Sequence, residues 1–159
     1  MWVIIGIIIA IVFLLHETAK NREENERRGI VFRDISAKYI GGFSDVKGGE
    51  KADIGIKENE IEIIIGGSVF NSNKIIPIDM ITNAEIKSES QITREVGLGR
   101  MIVFGALAFA MKTDKNTVKN YIVISCDDNG SKRDLIFESM IPEMVVREIR
   151  RIKGIESIF

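Results

Sequence analysis

The chain has 159 residues, 45% hydrophobic and 28% charged, with a formal net charge of -1. This length has room for one compact domain with an appendage, and the balanced charge provides no positive excess to attract nucleic acid. The single cysteine, Cys126, excludes a disulfide within the chain and fits a reducing compartment, and its apolar neighbours favour burial over reactivity.

An apolar block opens the chain, because residues 1–15 carry no charged side chain before His16 and Glu17. As a helix it covers about 22 Å, against about 30 Å for the hydrocarbon core of a bilayer. A secretory signal peptide would show a basic segment and a cleavage site, and a buried core helix would show a polar stripe. The block lacks these features. We therefore expect a transmembrane anchor helix at residues 1–16 in a locally thinned bilayer.

Particular residues of this block have expected roles in the membrane. Gly6 and Ala10 are four residues apart, a spacing of small residues that would let two anchors pack closely and form a homo-oligomer. The simpler explanation of this spacing is that two small residues happen to lie among many isoleucines and have no role in self-association. The residues expected to contact the membrane are Trp2, Ile5, Ile9, Phe13 and Leu15.

The orientation follows from basic residues on one side of the block. Lys20, Arg22, Arg27 and Arg28 follow it, and no lysine or arginine precedes it. Basic residues concentrate on the cytoplasmic side of membrane helices. The sequence thus predicts a single-pass protein of the cell membrane, with the N-terminus outside and the domain in the cytoplasm.

A charged segment, residues 17–38, is predicted to be a helical stalk and linker. Glu23 with Arg27 and Glu24 with Arg28 are spaced to form ion pairs along a solvated helix. Gly29 is expected to end that helix. The segment has no apolar seam, so a coiled coil is not expected.

The rest of the chain, residues 39–159, shows the short alternating segments of a β domain. Residues 53–57 and 60–65 flank a turn at Glu58-Asn59 and are predicted to form a hairpin. Residues 74–78 and 81–89 are two further predicted strands, and Pro77, which cannot donate to a ladder, should lie in an edge strand or at a strand end.

The end of the chain predicts a second hairpin and a helix. Residues 120–126 and 133–138 flank a turn that contains Asn129-Gly130, the strongest short-range hairpin signal. Residues 141–153 then place their apolar side chains on one side and charged ones opposite, with Pro142 in the first turn and Gly154 at the end. This pattern predicts an amphipathic helix that packs on a sheet.

One stretch, residues 101–111, is apolar throughout and is open to interpretation. It is too short to cross a membrane as a helix, since that needs about twenty residues. A buried strand, a strand covered by membrane or partner, and a helix are all compatible with it.

Between residues 39 and 153 the chain resembles the small bacterial pleckstrin-homology-like (PH-like) proteins. The resemblance rests on these runs: 39–42, 76–81, Thr93-Arg94, 99–100 through 105–108, 121–124 and 136–138. It implies a mainly β fold of about seven strands in two nearly orthogonal antiparallel sheets, with the last helix closing one end of the barrel. It implies no particular ligand, because the turn at residues 57–60 lacks the several lysines and arginines of the members that bind phosphoinositides.

The residue types argue against an enzyme. His16 is the only histidine and lies beside the apolar block, so a histidine base in the domain is impossible. No cysteine and histidine cluster has metal-ligand spacing, and the glycine pairs lack the context of a phosphate loop. We expect no catalytic residues, no cofactor and no metal.

The function that the sequence favours is a membrane-anchored interaction module. Its partners would be the membrane and an unidentified protein or lipid, not nucleic acid, and the alternative is a structural membrane protein that self-associates. Five basic residues could form a surface that faces lipid. The competing explanation is that they are ordinary solvent-exposed charges in turns. Those residues are Lys112, Lys115, Lys119, Lys132 and Arg133.

Overall fold

A computed structural model describes residues 2–66, 71–95 and 119–155. A long helix leads into eight strands, two further helices and one short 3-10 turn. In chain order the elements are α1 (Trp2–Arg27), β1 (Ile30–Asp34), β2 (Lys38–Gly41), β3 (Ala52–Lys57), β4 (Glu60–Gly66), β5 (Asn71–Pro77), the 3-10 turn (Ile78–Met80), β6 (Ile81–Ser88), α2 (Glu89–Glu95), β7 (Asn120–Asp128), β8 (Ser131–Glu138) and α3 (Pro142–Lys153).

The strands form two antiparallel sheets of four. Sheet 1 has the order β1-β3-β4-β5, and sheet 2 has the order β2-β8-β7-β6. The consecutive strands β1 and β2 therefore lie in different sheets, each at one edge. The predicted mainly β fold, with two antiparallel sheets and a C-terminal helix, is confirmed.

The inward faces of the two sheets make the main core. Alternation along β4 buries Ile61, Ile63 and Ile65, and sheet 2 contributes Ile122 and Phe137, all fully buried. Burying one such side chain stabilises the fold by about 1.5–3 kcal/mol. Period-two patterning is thus the sequence signal that fixes which face of each strand points inward.

The predicted turns are present. Asn129 (φ 52°) and Gly130 (φ 93°) join β7 to β8 with the positive dihedrals that an Asn-Gly hairpin needs. The hairpin β3–β4 also forms, and Pro77 ends β5 at the edge of sheet 1, as its missing N–H requires.

Helix α3 packs against β6 and β7 with one apolar face. Val145 and Ile149 are fully buried, Pro142 occupies the first turn, and Gly154 (φ 73°) ends the helix in the left-handed conformation. The Arg150 guanidinium donates to the Ala84 carbonyl at 2.7 Å. The helix predicted at residues 141–153 is therefore confirmed and packs on sheet 2.

The outer face of sheet 2 carries a second, smaller apolar cluster. Ile40, Val123, Ile136 and Tyr121 lie there, and Ile92 of α2 packs with them. Helix α2 was not expected, because the sequence favours a strand that continues to residue 89.

The N-terminal segments differ from their predictions in two ways. The helix is where the sequence places it, but within the described ranges no helix is long and apolar enough to cross a membrane. Residues 17–38 are also not a linker throughout, because α1 ends at Arg27 and residues 30–34 form β1, which pairs with β3. The predicted cap is correct, since Gly29 has φ 67° and its N–H donates to the Glu26 carbonyl at 3.1 Å. Residues 101–111 lie outside the described residues.

Candidate functional site

A groove opens between sheet 1 and the β7–β8 hairpin. It has a volume of about 210 Å³ and is walled by β5, the loop after β2, the 3-10 turn and the hairpin. Elements from both sheets meet there, so the groove exists only in the folded chain. Its lining residues are Phe43, Ser44, Asp45, Lys74, Ile75, Ile76, Met80, Cys126 and Arg133.

Phe43 is held in the groove by the buried side chain of Tyr39. The Phe43 N–H donates to the Tyr39 hydroxyl at 2.5 Å, and the two ring centroids are 5.7 Å apart. Gly42, with φ 125°, provides the turn between them, and a Cβ there would overlap the Asp134 carbonyl and Leu135. The ring of Phe43 is therefore fixed before any ligand arrives.

Two cations from different sheets flank the Phe43 ring. Lys74 Nζ lies 5.5 Å from the ring centroid, and Arg133 Cζ lies 5.9 Å from it. Both distances are within the range of cation–π attraction. Lys74 faces inward because it pairs with the inward-facing Ile63 in the β4–β5 ladder. The groove thus presents two positive groups around one aromatic ring.

One carboxylate partly balances these cations. Asp45 accepts a hydrogen bond from Lys74 Nζ at 2.5 Å, and this contact holds the pKa of Asp45 below its ordinary value. Arg133 forms an ion pair with Asp128, whose carboxylate lies 3.4 Å from the guanidinium. Among the nine lining residues, two cations face one anion, so the groove has a positive excess.

Cys126 lies at the inner end of the groove but is a poor nucleophile. Burial raises the pKa of its thiol to about 11, so almost no thiolate is present at neutral pH. The residue packs as a small apolar side chain in the main core.

The outer edge of β5 borders the groove. The Ile78 N–H donates to the Asn59 carbonyl at 2.9 Å, which extends the β4–β5 ladder by one pair. Alternation of an antiparallel ladder then turns the N–H and C=O groups of Asn73 and Ile75 away from β4, along with the carbonyl of Pro77. Within the described ranges, no strand pairs with this edge.

Away from the groove, the end of α1 is tied to the outer face of sheet 1. Arg28 Nη2 donates to Glu62 Oε2 at 2.8 Å, and Lys57 Nζ lies 3.4 Å from the same carboxylate. Burial would by itself raise the pKa of Glu62, but the hydrogen bond from Arg28 and the two positive charges lower it overall. A second contact joins Arg33 to Asp53 through two nitrogens and to Asn25 of α1 at 3.0 Å. We call these contacts the helix clamp.

The predicted membrane residues lie on the surface of α1. Ile5, Ile9, Phe13 and Leu15 are exposed, as is Ala10, and the space around Gly6 is open. Trp2 is the first residue of the helix. The structure thus places Ile5, Ile9, Phe13 and Leu15 among the exposed side chains of one helix.

Among the predicted basic residues that the structure describes, Lys119 lies apart from Lys132 and Arg133. Lys119 precedes β7 and pairs with Glu138 at 3.0 Å, whereas Lys132 and Arg133 lie beyond the turn at the far end of the hairpin. Lys112 and Lys115 lie outside the described residues. Of the three described members of this set, Arg133 lines the groove.

Sequence reasoning missed Phe43 and Lys74 as groove residues. Each is an ordinary apolar or charged residue in its local context, and they meet Arg133 only through the pairing of strands far apart in the chain. Within the described ranges, no group of three or more histidine, cysteine, aspartate or glutamate residues is arranged to hold a metal ion. Comparison with protein-family models and with curated proteins gives no match.

Proposed function

We propose that this chain is a membrane-attached, PH-like interaction module without catalytic activity, which binds a protein or lipid partner at the cytoplasmic face of a membrane. The observation that carries the proposal is the exposed apolar part of α1. Its large side chains are between 44% and 63% exposed. They are Ile5, Ile7, Ile8, Ile9, Ile11, Val12, Phe13 and Leu15.

The distribution of these side chains favours a membrane over a protein surface. Residues 5–13 are consecutive and exposed, so they cover every side of the helix for more than two turns. A partner helix would cover one stripe only, whereas lipid chains surround an inserted helix completely. The contiguous apolar surface is also large enough to be costly in water.

The charged part of α1 supports an orientation in which the β domain lies on the cytoplasmic side of the membrane. Lys20 and Arg22 follow the apolar part within about two helical turns and would lie near the headgroups, and Arg27 lies further along the same helix. Lysine and arginine are favoured there on the cytoplasmic side, where the lipids are anionic. The helix clamp then holds the β domain close to that face.

The order of strands supports the PH-like part of the proposal. From β3 to β8 each strand is followed by its neighbour in a simple antiparallel meander, except at the corner between β5 and β6. The segment that contains β1 and β2 passes from an edge of sheet 1 to an edge of sheet 2, and α3 packs against β6 and β7. Two antiparallel sheets followed by a C-terminal helix are part of what the resemblance of residues 39–153 implies.

Vesicle flotation of the intact chain tests the membrane attachment. We expect the chain to float with liposomes and the double variant Ile8→Glu, Val12→Glu to stay at the bottom, because two carboxylates in the apolar part are costly to bury. The matched control is Ala19→Glu, Asn21→Glu, which adds the same charge to the exposed, polar part of the same helix and should still float. Equal flotation of both double variants would contradict the proposal.

Labelling in cells tests the orientation. Ser131, the exposed first residue of β8, is replaced by cysteine, while the buried Cys126 stays unreactive. We expect a membrane-impermeant maleimide to label Ser131→Cys only after the cells are permeabilised. Labelling of intact cells would place the domain on the outside.

A further inference from the structure

We propose that the groove beside β5 binds an extended acidic peptide segment of a partner protein, which adds to sheet 1 as a fifth strand. This inference rests on the proposed role as an interaction module and names the chemistry of its partner. It follows from a strand edge with which no described strand pairs, the two cations beside it and the buried Phe43 ring near both cations.

The edge supplies the main-chain contacts. Asn73 and Ile75 turn their N–H and C=O groups away from β4, and the described residues provide no strand to receive them. An extended peptide can satisfy such groups by antiparallel or parallel pairing. Pro77 ends the edge because it has no N–H to offer, so the docked segment would be about as long as β5.

The groove supplies the preference for acidic residues. An added strand points alternate side chains toward the groove, where Lys74 and Arg133 both lie near the Phe43 ring. Asp45 accepts a hydrogen bond from Lys74, and the Arg133 guanidinium makes a longer contact, 3.4 Å, with Asp128. A carboxylate on the docked segment can form a bidentate pair with Arg133, the strongest geometry available to an arginine.

Apolar contacts would complete the site. Ile76 and Met80 line the groove beside the charged groups. Ile75 is 57% exposed on the outer face of the same strand. A peptide in which acidic and β-branched residues alternate fits both the polar rim and these apolar walls.

The direct test uses a fluorescent peptide of alternating valine and glutamate with blocked termini. Its binding to the intact chain in detergent is measured by fluorescence polarisation. The same peptide with lysine in place of glutamate serves as the charge-reversed probe. We expect the acidic peptide to bind and the basic one to bind at least about tenfold more weakly. Equal binding of the two peptides, or no binding of either, would overturn the proposal.

Two pairs of variants separate the parts of the site. Arg133→Ala should weaken binding of the acidic peptide about tenfold. Lys132 is the exposed neighbour of Arg133 on the other face of β8, and Lys132→Ala should leave binding of the peptide unchanged. Ile75→Pro removes one outward N–H but no hydrogen bond to β4. It should therefore weaken binding of the acidic peptide, while circular dichroism shows that the chain stays folded. Ile75→Val keeps the N–H and serves as its control. If both members of either pair behave alike, the inferred site is wrong.

These experiments can fail independently of the membrane proposal. A chain that floats with vesicles but binds no peptide would refute the groove and leave the attachment intact. A chain that binds the acidic peptide but does not float would refute the attachment instead.

Discussion

Arg28 Nη2 at the end of α1 lies 2.8 Å from Glu62 Oε2 in β4, although the two residues are 34 positions apart in the chain. Lys57 contacts the same carboxylate, so the last turn of the helix and two strands share one ionic contact. The Glu62 side chain is only 11% exposed, which limits screening by water. The end of the helix is therefore tied to the β domain through this carboxylate.

The helix clamp predicts a pH dependence of stability. The pKa of Glu62 is lower in the folded chain than its ordinary value, so its contribution is complete above the ordinary pKa and is lost as the pH falls through the folded pKa. We expect intact chain and Glu62→Gln to differ by about 1–3 kcal/mol in free energy of unfolding at neutral pH. Denaturant unfolding in detergent at a series of acidic pH values measures that difference.

The expected result is a difference that shrinks toward zero as the solution becomes more acidic. The glutamine variant is the internal control, because it keeps the shape of the side chain and cannot titrate. A difference that stays constant from neutral to strongly acidic pH would show that the carboxylate charge does not stabilise the clamp.

Gly42 predicts a severe loss of stability on substitution. It has φ 125°, and an added Cβ would overlap the Asp134 carbonyl and lie 2.8 Å from Leu135 Cδ2. We expect Gly42→Ala to cost about 4 kcal/mol or more, because backbone strain and overlap with β8 add together. Urea unfolding measures this loss.

Gly49 provides the matched control for Gly42. It also has a positive φ, 100°, but the space around it is open. Gly49→Ala should cost only the backbone strain, about 1–3 kcal/mol. Equal losses for the two variants would mean that the close contact with β8 does not decide the effect.

Cys126 should resist thiol reagents while the chain is folded. Burial raises the pKa of its thiol to about 11, and the thiolate is the reactive form. At pH 8 we expect its reaction with a disulfide reagent to be at least about a hundredfold slower in the folded chain than in denaturant. The exposed variant Ser131→Cys should react at once without denaturant, and fast labelling of Cys126 in the folded chain would show that the groove exposes it.

The elements whose formation depends on residues close together in the sequence could be predicted from the sequence. Asn129-Gly130 determines its hairpin because the turn needs positive dihedrals that these residues adopt readily, and α3 follows from a proline, an apolar face and a glycine in their local positions. The alternation in β4 likewise fixed its buried face. The apolar character of residues 1–15 is also a purely local property.

Only the tertiary structure decided the rest. Residues 30–34 look like part of a charged linker until their pairing with β3 makes them a strand, and the outer edge of β5 becomes a candidate site only when β7 and β8 fold beside it. The contacts of Arg28 with Glu62, and of Phe43 with Lys74 and Arg133, join residues far apart in the chain. Local periodicity carries no information about such pairs, because chain topology and packing bring them together.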